Sequence, residues 1–170
     1  MNEHYLKALP RITVMIFDVD GILTDGSILL TPDGEALRSL NTKDGHALAR
    51  AAEAGIKLFA ITRGSSDIIK KGLMRLGFED VALKTFDKYD KYKEYKHIYE
   101  FEDEEVVYMG DDLPDIELLR EVAVPACPAD AVHEVKEICR YISPFNGGRG
   151  CVRDVVEKVL RAQGKWYREE

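Results

Sequence analysis

Short, wholly apolar runs alternate along this chain with longer stretches in which apolar residues recur every third or fourth position. The short runs have the length and composition of strands buried on both faces, and the longer ones have the period of amphipathic helices. Strands are therefore expected near residues 12–17, 56–61, 81–82, 106–109, 122–126 and 141–142. Helices are expected near 44–54, 65–76, 88–101, 114–121, 131–137 and 151–162. Local punctuation agrees: Gly55 and Gly77 stand where a helix would close, and Ser65 or Ser66 can cap the helix that Gly77 ends. A polar-turned hairpin is expected after the first strand, from residues 28–30 and 36–40 around Thr31-Pro32-Asp33-Gly34. Strand and helix in alternation predict an α/β fold, a doubly wound parallel sheet covered on both faces.

The strand ends carry the chemistry. Asp18-Val19-Asp20-Gly21 follows the first apolar run directly, so two carboxylates emerge where open α/β sheets place their ligands. Asp and Gly also favour turns, and an isolated pair of this kind would carry little. Here the second run ends in Thr62, Lys88 opens a charged, Tyr-rich segment, and the run 106–109 ends in Gly110-Asp111-Asp112-Leu113-Pro114-Asp115. That inventory suits phosphoryl transfer from a monoester: one carboxylate attacks phosphorus, others hold a cation, and a hydroxyl and an ammonium neutralise the phosphate oxygens. An all-oxygen carboxylate set suits Mg²⁺.

In that order the four motifs resemble those of the haloacid dehalogenase superfamily, and most closely its capless 3-deoxy-D-manno-octulosonate 8-phosphate phosphatase family. The resemblance extends to Asp18-Val-Asp-Gly-Ile-Leu-Thr-Asp-Gly26, Asn41-Thr-Lys-Asp-Gly45 and Gly147-Gly-Arg-Gly-Cys-Val-Arg153, and covers the chain from about Arg11 to Gly164. It implies a Rossmann-like core with a small hairpin insertion and no cap domain. Asp18 would be the nucleophile and Asp20 the general acid and base. Mg²⁺ would be held by Asp18, the Asp20 carbonyl and Asp111. Asp112 and Asp115 would bind metal through water or orient Lys88, and Asp115 could instead sit in the first turn of the following helix. Thr62 and Arg63 would meet the phosphate together with Lys88, with Lys84 and Lys91 as alternatives for the lysine.

Asn41, Lys43, Asp44 and Gly45 would read the sugar, although Asp44 could equally be a helix N-cap. Arg149 would take the sugar carboxylate from a tail motif that reaches across a tetramer; the competing reading is a turn before the last helix. The implied substrate is a small-molecule sugar phosphate, and the implied assembly is a homotetramer, paired through the hairpin, with shared active sites. Two departures bear on the sugar: Thr62-Arg63-Gly64 replaces the family's Thr-Gly-Arg, and Gly72 stands where the family often has a second arginine. The nine-carbon homologue, 2-keto-3-deoxy-nononate 9-phosphate, is the rival substrate. A phospho-accepting receiver-type switch is the rival from another class.

Size and charge narrow the picture further. A chain of 170 residues is expected to form one domain and to bury roughly 70% of its unfolded surface. The 44 positions from Asp18 to Thr62 and the 26 from Thr62 to Lys88 are consumed by the elements already placed, so no lid domain is expected. Net charge of −7 disfavours nucleic acid and anionic membrane as partners. Tyr89, Tyr92, Tyr95 and Tyr99 recur at near-helical spacing and are expected to pack a helix rather than stack on bases. Cys127, Cys139 and Cys151 fall twelve apart, which invites a metal or repeat reading, but buried thiols are expected. No apolar stretch approaches the ~20 residues of a membrane span, the first twelve residues lack a secretory apolar core, and a cytoplasmic protein is expected.

Overall fold

The computed structural model describes residues 4–167. The first three residues, and the last three of the charged C-terminal segment from Lys165 to Glu170, lie outside the described residues. Six parallel strands form the main sheet: β1 (Val14–Phe17), β4 (Lys57–Ile61), β5 (Asp80–Ala82), β6 (Val106–Met109), β7 (Val124–Cys127) and β8 (Tyr141–Ile142). Their spatial order is β5-β4-β1-β6-β7-β8. The remaining pair, β2 (Leu29–Leu30) and β3 (Ala36–Leu37), is the expected hairpin, antiparallel and separate from the sheet.

Strand β1 is buried along its whole length because both its faces are covered. Met15 and Phe17 face one layer, built from α2 (Thr42–Glu53), α3 (Asp67–Arg75) and α7 (Cys151–Ala162). Val14 and Ile16 face the other, built from α4 (Lys88–Tyr99), α5 (Ile116–Glu121) and α6 (His133–Ile138). Tyr92 and Tyr95 lie in that second layer, and the Phe59 and Tyr95 rings stack at 4.7 Å, so the tyrosine run packs a helix as its spacing implied. Phe17 is in register with Ala60 on one side and Met109 on the other, which brings Asp18, Thr62 and Asp111 to the same sheet edge. From β1 the chain goes first to β4 and β5 and then returns to β6, so that edge is also the switch point where open sheets bind ligands.

Several boundaries differ from expectation. A short helix α1 (His4–Ala8) and a 3₁₀ turn (Leu9–Arg11) precede β1, which starts two residues later than its apolar run. The run alone cannot show this, since Ile12 is buried although it lies outside the ladder. Helix α2 starts at Thr42, capped by Asn41, not near Asp44. A 3₁₀ turn (Leu113–Asp115) leads into α5, and β7 begins at Val124 because Val122 is still leaving the helix. All three cysteines are free thiols; Cys127 and Cys151 are buried and Cys139 is half-buried. Among the described residues no helix is long and apolar enough to cross a membrane.

Candidate active site

Asp18 leaves β1 in extended backbone, and its Oδ1 accepts the Val19 N–H at 2.6 Å, which fixes the carboxylate at the mouth of the sheet. Its Oδ2 lies 2.7 Å from Lys88 Nζ. Lys88 is the first residue of α4 and only 4% exposed, and its ammonium also donates to Asp115 Oδ1 at 2.6 Å. Asp115 in turn accepts from Tyr108 Oη (2.6 Å) and from the Asp111 and Asp112 N–H groups (3.0 and 3.2 Å). Burial works against the Lys88 charge, but Asp18 and Asp115 outweigh it and hold the ammonium above its ordinary range. Lys84 is exposed and Lys91 pairs with Glu94, so neither replaces Lys88.

Asp111 adjoins this chain of ion pairs. Burial pushes its carboxyl up to about 7, with the Asp18 and Asp115 charges adding to the effect. Burial also pushes Asp18 up to about 6, although Lys88 opposes it. Oxygens of Asp18, Asp111 and Asp115 can approach within 4.8 Å of one another. Asp115 is the poorest ligand of the three, because four donors already occupy its oxygens. Asp18 and Asp111 remain: two half-buried carboxylates whose mutual repulsion a hard divalent cation would relieve. The loop leaves room for this, since Gly21 has φ +87° and a Cβ there would overlap the Asp111 carboxylate. Asp112 is exposed and caps the 3₁₀ turn through Leu113 N–H at 2.7 Å.

Asp18, Asp20, Thr62, Arg63, Lys88, Asp111 and Asp112 line one open cavity of about 340 Å³. Thr62 is buried, and its Oγ1 accepts the Gly64 N–H at 3.0 Å. Arg63 is exposed at the rim, reaching the Phe86 carbonyl at 3.5 Å. The sequence reading missed one residue here. Arg38, just past β3, forks onto Asp20 with Nε–Oδ1 at 2.7 Å and Nη2–Oδ2 at 3.1 Å. A signal was available: Arg38 is the only Lys or Arg between Asp18 and Thr42, in a stretch with five acids.

The expected sugar readers are not in that cavity. Asn41, Lys43 and Arg149 line a neighbouring cavity of about 820 Å³ with Arg153 and Glu157. Asn41 caps α2 and donates from Nδ2 to the Gly148 carbonyl at 3.2 Å. Asp44 is not the N-cap of α2, a place that Asn41 takes. It is buried inside α2 and accepts Gly150 N–H (3.2 Å) and Arg153 N–H (2.8 Å), tying down the start of α7; burial raises its carboxyl against those bonds. Gly45 sits within α2 against Leu76 rather than at the site. The tail motif lies against the chain's own first loop: a Cβ on Gly147 would overlap the Gly21 carbonyl, and Gly148 N–H donates to Ile22 O at 2.8 Å. The motif therefore braces the chain's own 18–26 loop, and Arg149 pairs with Asp25 at 2.9 Å, because only glycines let the two backbones approach so closely.

A family model described as haloacid dehalogenase-like hydrolase matches residues 67–154. The chain belongs to this family. Within it, the chain is 30% identical over 165 residues to 3-deoxy-D-manno-octulosonate 8-phosphate phosphatase KdsC of Salmonella typhi, covering 97% of this chain and 88% of that protein. The structure of the Yersinia pestis phosphatase of the same name superposes with a TM-score of 0.94 at 29% identity, covering 96% of this chain and 89% of that one. The Moraxella catarrhalis phosphatase, in complex with a magnesium ion, a phosphate ion and a KDO molecule, gives 0.93 at 29% identity, covering 96% and 94%. The six-stranded parallel sheet with its flanking helices is thus the fold of the haloacid dehalogenase-like hydrolases.

Proposed function

We propose that this hydrolase is a Mg²⁺-dependent phosphomonoesterase that releases phosphate from 3-deoxy-D-manno-octulosonate 8-phosphate. The observation that carries the chemistry is the Asp18 carboxylate at the cavity floor, 2.7 Å from a buried lysine. The sugar comes from the relatives, whose names specify that substrate over nearly the whole of this chain.

Asp18 attacks phosphorus in line and forms an aspartyl-phosphate while Asp20 gives its proton to the departing sugar oxygen. Water then attacks the same phosphorus, its proton passes to Asp20, and the Asp18 carboxylate is regenerated. Thr62 donates to a phosphoryl oxygen and Lys88 offsets the charge that builds between nucleophile and phosphate. Asp115 and Tyr108 hold Lys88 in place. Mg²⁺, bound by the Asp18 and Asp111 carboxylates and the Asp20 carbonyl, would draw negative charge off the phosphoryl group. A receiver-type switch would store the phosphate instead, and Asp20 as a resident acid and base argues for turnover.

We read the whole chain as one catalytic unit that works in the cytoplasm as a homotetramer with shared sites. Leu29 and Leu30 of the hairpin are 68% and 74% exposed, an apolar surface that a second copy would cover. Lys43 and Arg149 lie outside the catalytic cavity of their own chain, so they can serve a sugar acid only at a neighbour's site or after it bridges both cavities. Gly64 and Gly72, where the family resemblance implies arginine, favour a second reading in which the nine-carbon homologue or a broader range of sugar phosphates is taken. The test is phosphate release from the eight- and nine-carbon substrates and ordinary hexose phosphates, with and without Mg²⁺. A metal-dependent preference for the eight-carbon ester is expected. Uniformly low rates would discard the named sugar, and stoichiometric labelling of Asp18 without turnover would point to the switch.

A further inference from the structure

Both oxygens of the Asp20 carboxylate are held, but unequally. Oδ1 accepts from Arg38 Nε at 2.7 Å and from Thr24 Oγ1 at 3.3 Å, whereas Oδ2 accepts one bond, 3.1 Å, from Arg38 Nη2. Neither anchor is loose. The Arg38 side chain is 10% exposed, and its Nη1 donates back to the Ala36 carbonyl at 3.1 Å. Thr24 is fully buried, and its hydroxyl accepts from Gly21 N–H (3.4 Å) and Gly26 N–H (3.2 Å) while it donates to Asp20. Oδ2 faces residue 64: a Cβ there would stand 3.6 Å from Oδ2 and 3.3 Å from Thr62 Oγ1. Gly64 carries none, so the space between Oδ2 and the phosphate-binding hydroxyl stays open.

We infer that Arg38, seconded by Thr24, is a positioning residue that pins Oδ1 of Asp20 and presents Oδ2 as the proton-carrying atom of both half-reactions. The inference rests on the acid–base role given to Asp20 above. As the bond from phosphorus to the leaving oxygen breaks, its electron pair stays on that oxygen, which takes the proton from Oδ2 while Asp18 bonds to phosphorus. In the second step the water oxygen bonds to phosphorus, the Asp18–phosphorus pair returns to the carboxylate, and the water proton moves to Oδ2. Two bonds on Oδ1, one of them short, against a single bond on Oδ2 leave Oδ2 the atom with the weaker restraint and the open approach. Because Arg38 directly follows the hairpin strand β3, the hairpin sets the rotamer of the acid as well as the molecular surface.

The leaving group separates this role from a structural one. A sugar alkoxide departs slowly without a proton, whereas the phenolate of p-nitrophenyl phosphate departs without help. In the Mg²⁺-loaded full chain, Arg38→Ala is expected to lower kcat on the sugar phosphate by about 10- to 100-fold with KM nearly unchanged. The ratio of sugar-phosphate to aryl-phosphate turnover falls by at least about tenfold, and Arg38→Lys, which offers the charge without the fork, recovers part of it. In an Asp20→Asn background Arg38→Ala removes nothing further. Equal losses on both esters, a change confined to KM, or full additivity with Asp20→Asn overturns the inference. Asp20→Asn alone tells the two levels apart. If it fails to discriminate between the esters, the acid–base reading itself falls; if it discriminates and Arg38→Ala does not, only the role of Arg38 falls. Arg38→Gln, which keeps most of the side-chain bulk, repeats the test should the alanine variant not fold.

Discussion

Lys88 is one of four lysines in nine residues, and only its motif position marks it out in the sequence. Folding separates it from the others: Lys91 and Lys93 pair with carboxylates on their own helix, while Lys88 is enclosed between Asp18 and Asp115. An ammonium taken out of water in this way is held by two partners, and Asp115 also satisfies the Tyr108 hydroxyl and the Asp111 and Asp112 N–H groups, which its removal would leave unpaired. Asp115→Ala is therefore expected to destabilise the fold by about 3–5 kcal/mol, read by denaturant unfolding, and to depress turnover by freeing Lys88. Asp18→Asn keeps an oxygen for Lys88 and should abolish turnover while the unfolding midpoint stays close to that of the parent. If Asp18→Asn kept measurable turnover, the nucleophile would have to be sought elsewhere. The role of Asp115 was half legible from Gly110-Asp111-Asp112-Leu113-Pro114-Asp115, which shows three carboxylates without showing which two face the cavity.

At the level of elements, α2 and α7 pack side by side although about a hundred residues separate them in sequence. Asp44 is the polar tie between them, a buried carboxylate on α2 that satisfies two N–H groups at the start of α7. Asp44→Ala is expected to cost about 1–3 kcal/mol, seen as a lowered unfolding midpoint with KM for the sugar phosphate little changed. A raised KM at unaltered stability would return Asp44 to the sugar. No local pattern could have settled this, because Asn41-Thr-Lys-Asp-Gly45 offers two candidate caps three residues apart and the partner of the second lies at residues 150–153. The hairpin shows the same limit. Its turn and strands were legible, but its service to Asp20 through Arg38 depends on where the strand pair folds back.

For the molecule as a whole, burying Asp18 and Asp111 together links metal, protons and stability. Both carboxyls are raised in the metal-free fold, to about 6 and about 7, from roughly 4 in an unfolded chain. A raised carboxyl contributes stability that is complete below the unfolded value and is lost as pH rises through the folded one. Metal-free protein should thus lose stability between about pH 4 and 7, and the stabilisation on adding Mg²⁺, which needs the ionised carboxylates, should grow over the same interval. Thermal unfolding across that range with chelator or with Mg²⁺ checks this, and a stabilisation independent of pH would contradict it. The exposed hairpin leucines give a second test. Leu30→Glu should reduce the assembly to smaller species by light scattering and cut turnover with it, whereas full activity in a monomer would exclude shared sites.

Short-range pattern determined the element types, the parallel α/β class and the order Asp/Asp, Thr, Lys, Asp along the strand ends, since periodicity and strand-terminal turns are properties of neighbouring residues. The same order carried the family and the class of chemistry. Tertiary structure alone decided which lysine is buried, which carboxylates share a cavity, that Asp44 and the Gly147-Gly-Arg-Gly stretch brace neighbouring segments, and that Arg38 grips Asp20. Each of those is a contact between segments from 18 to over 100 positions apart. The free energy of a buried charge depends on every group that surrounds it, and the chain reveals that company only once it has folded.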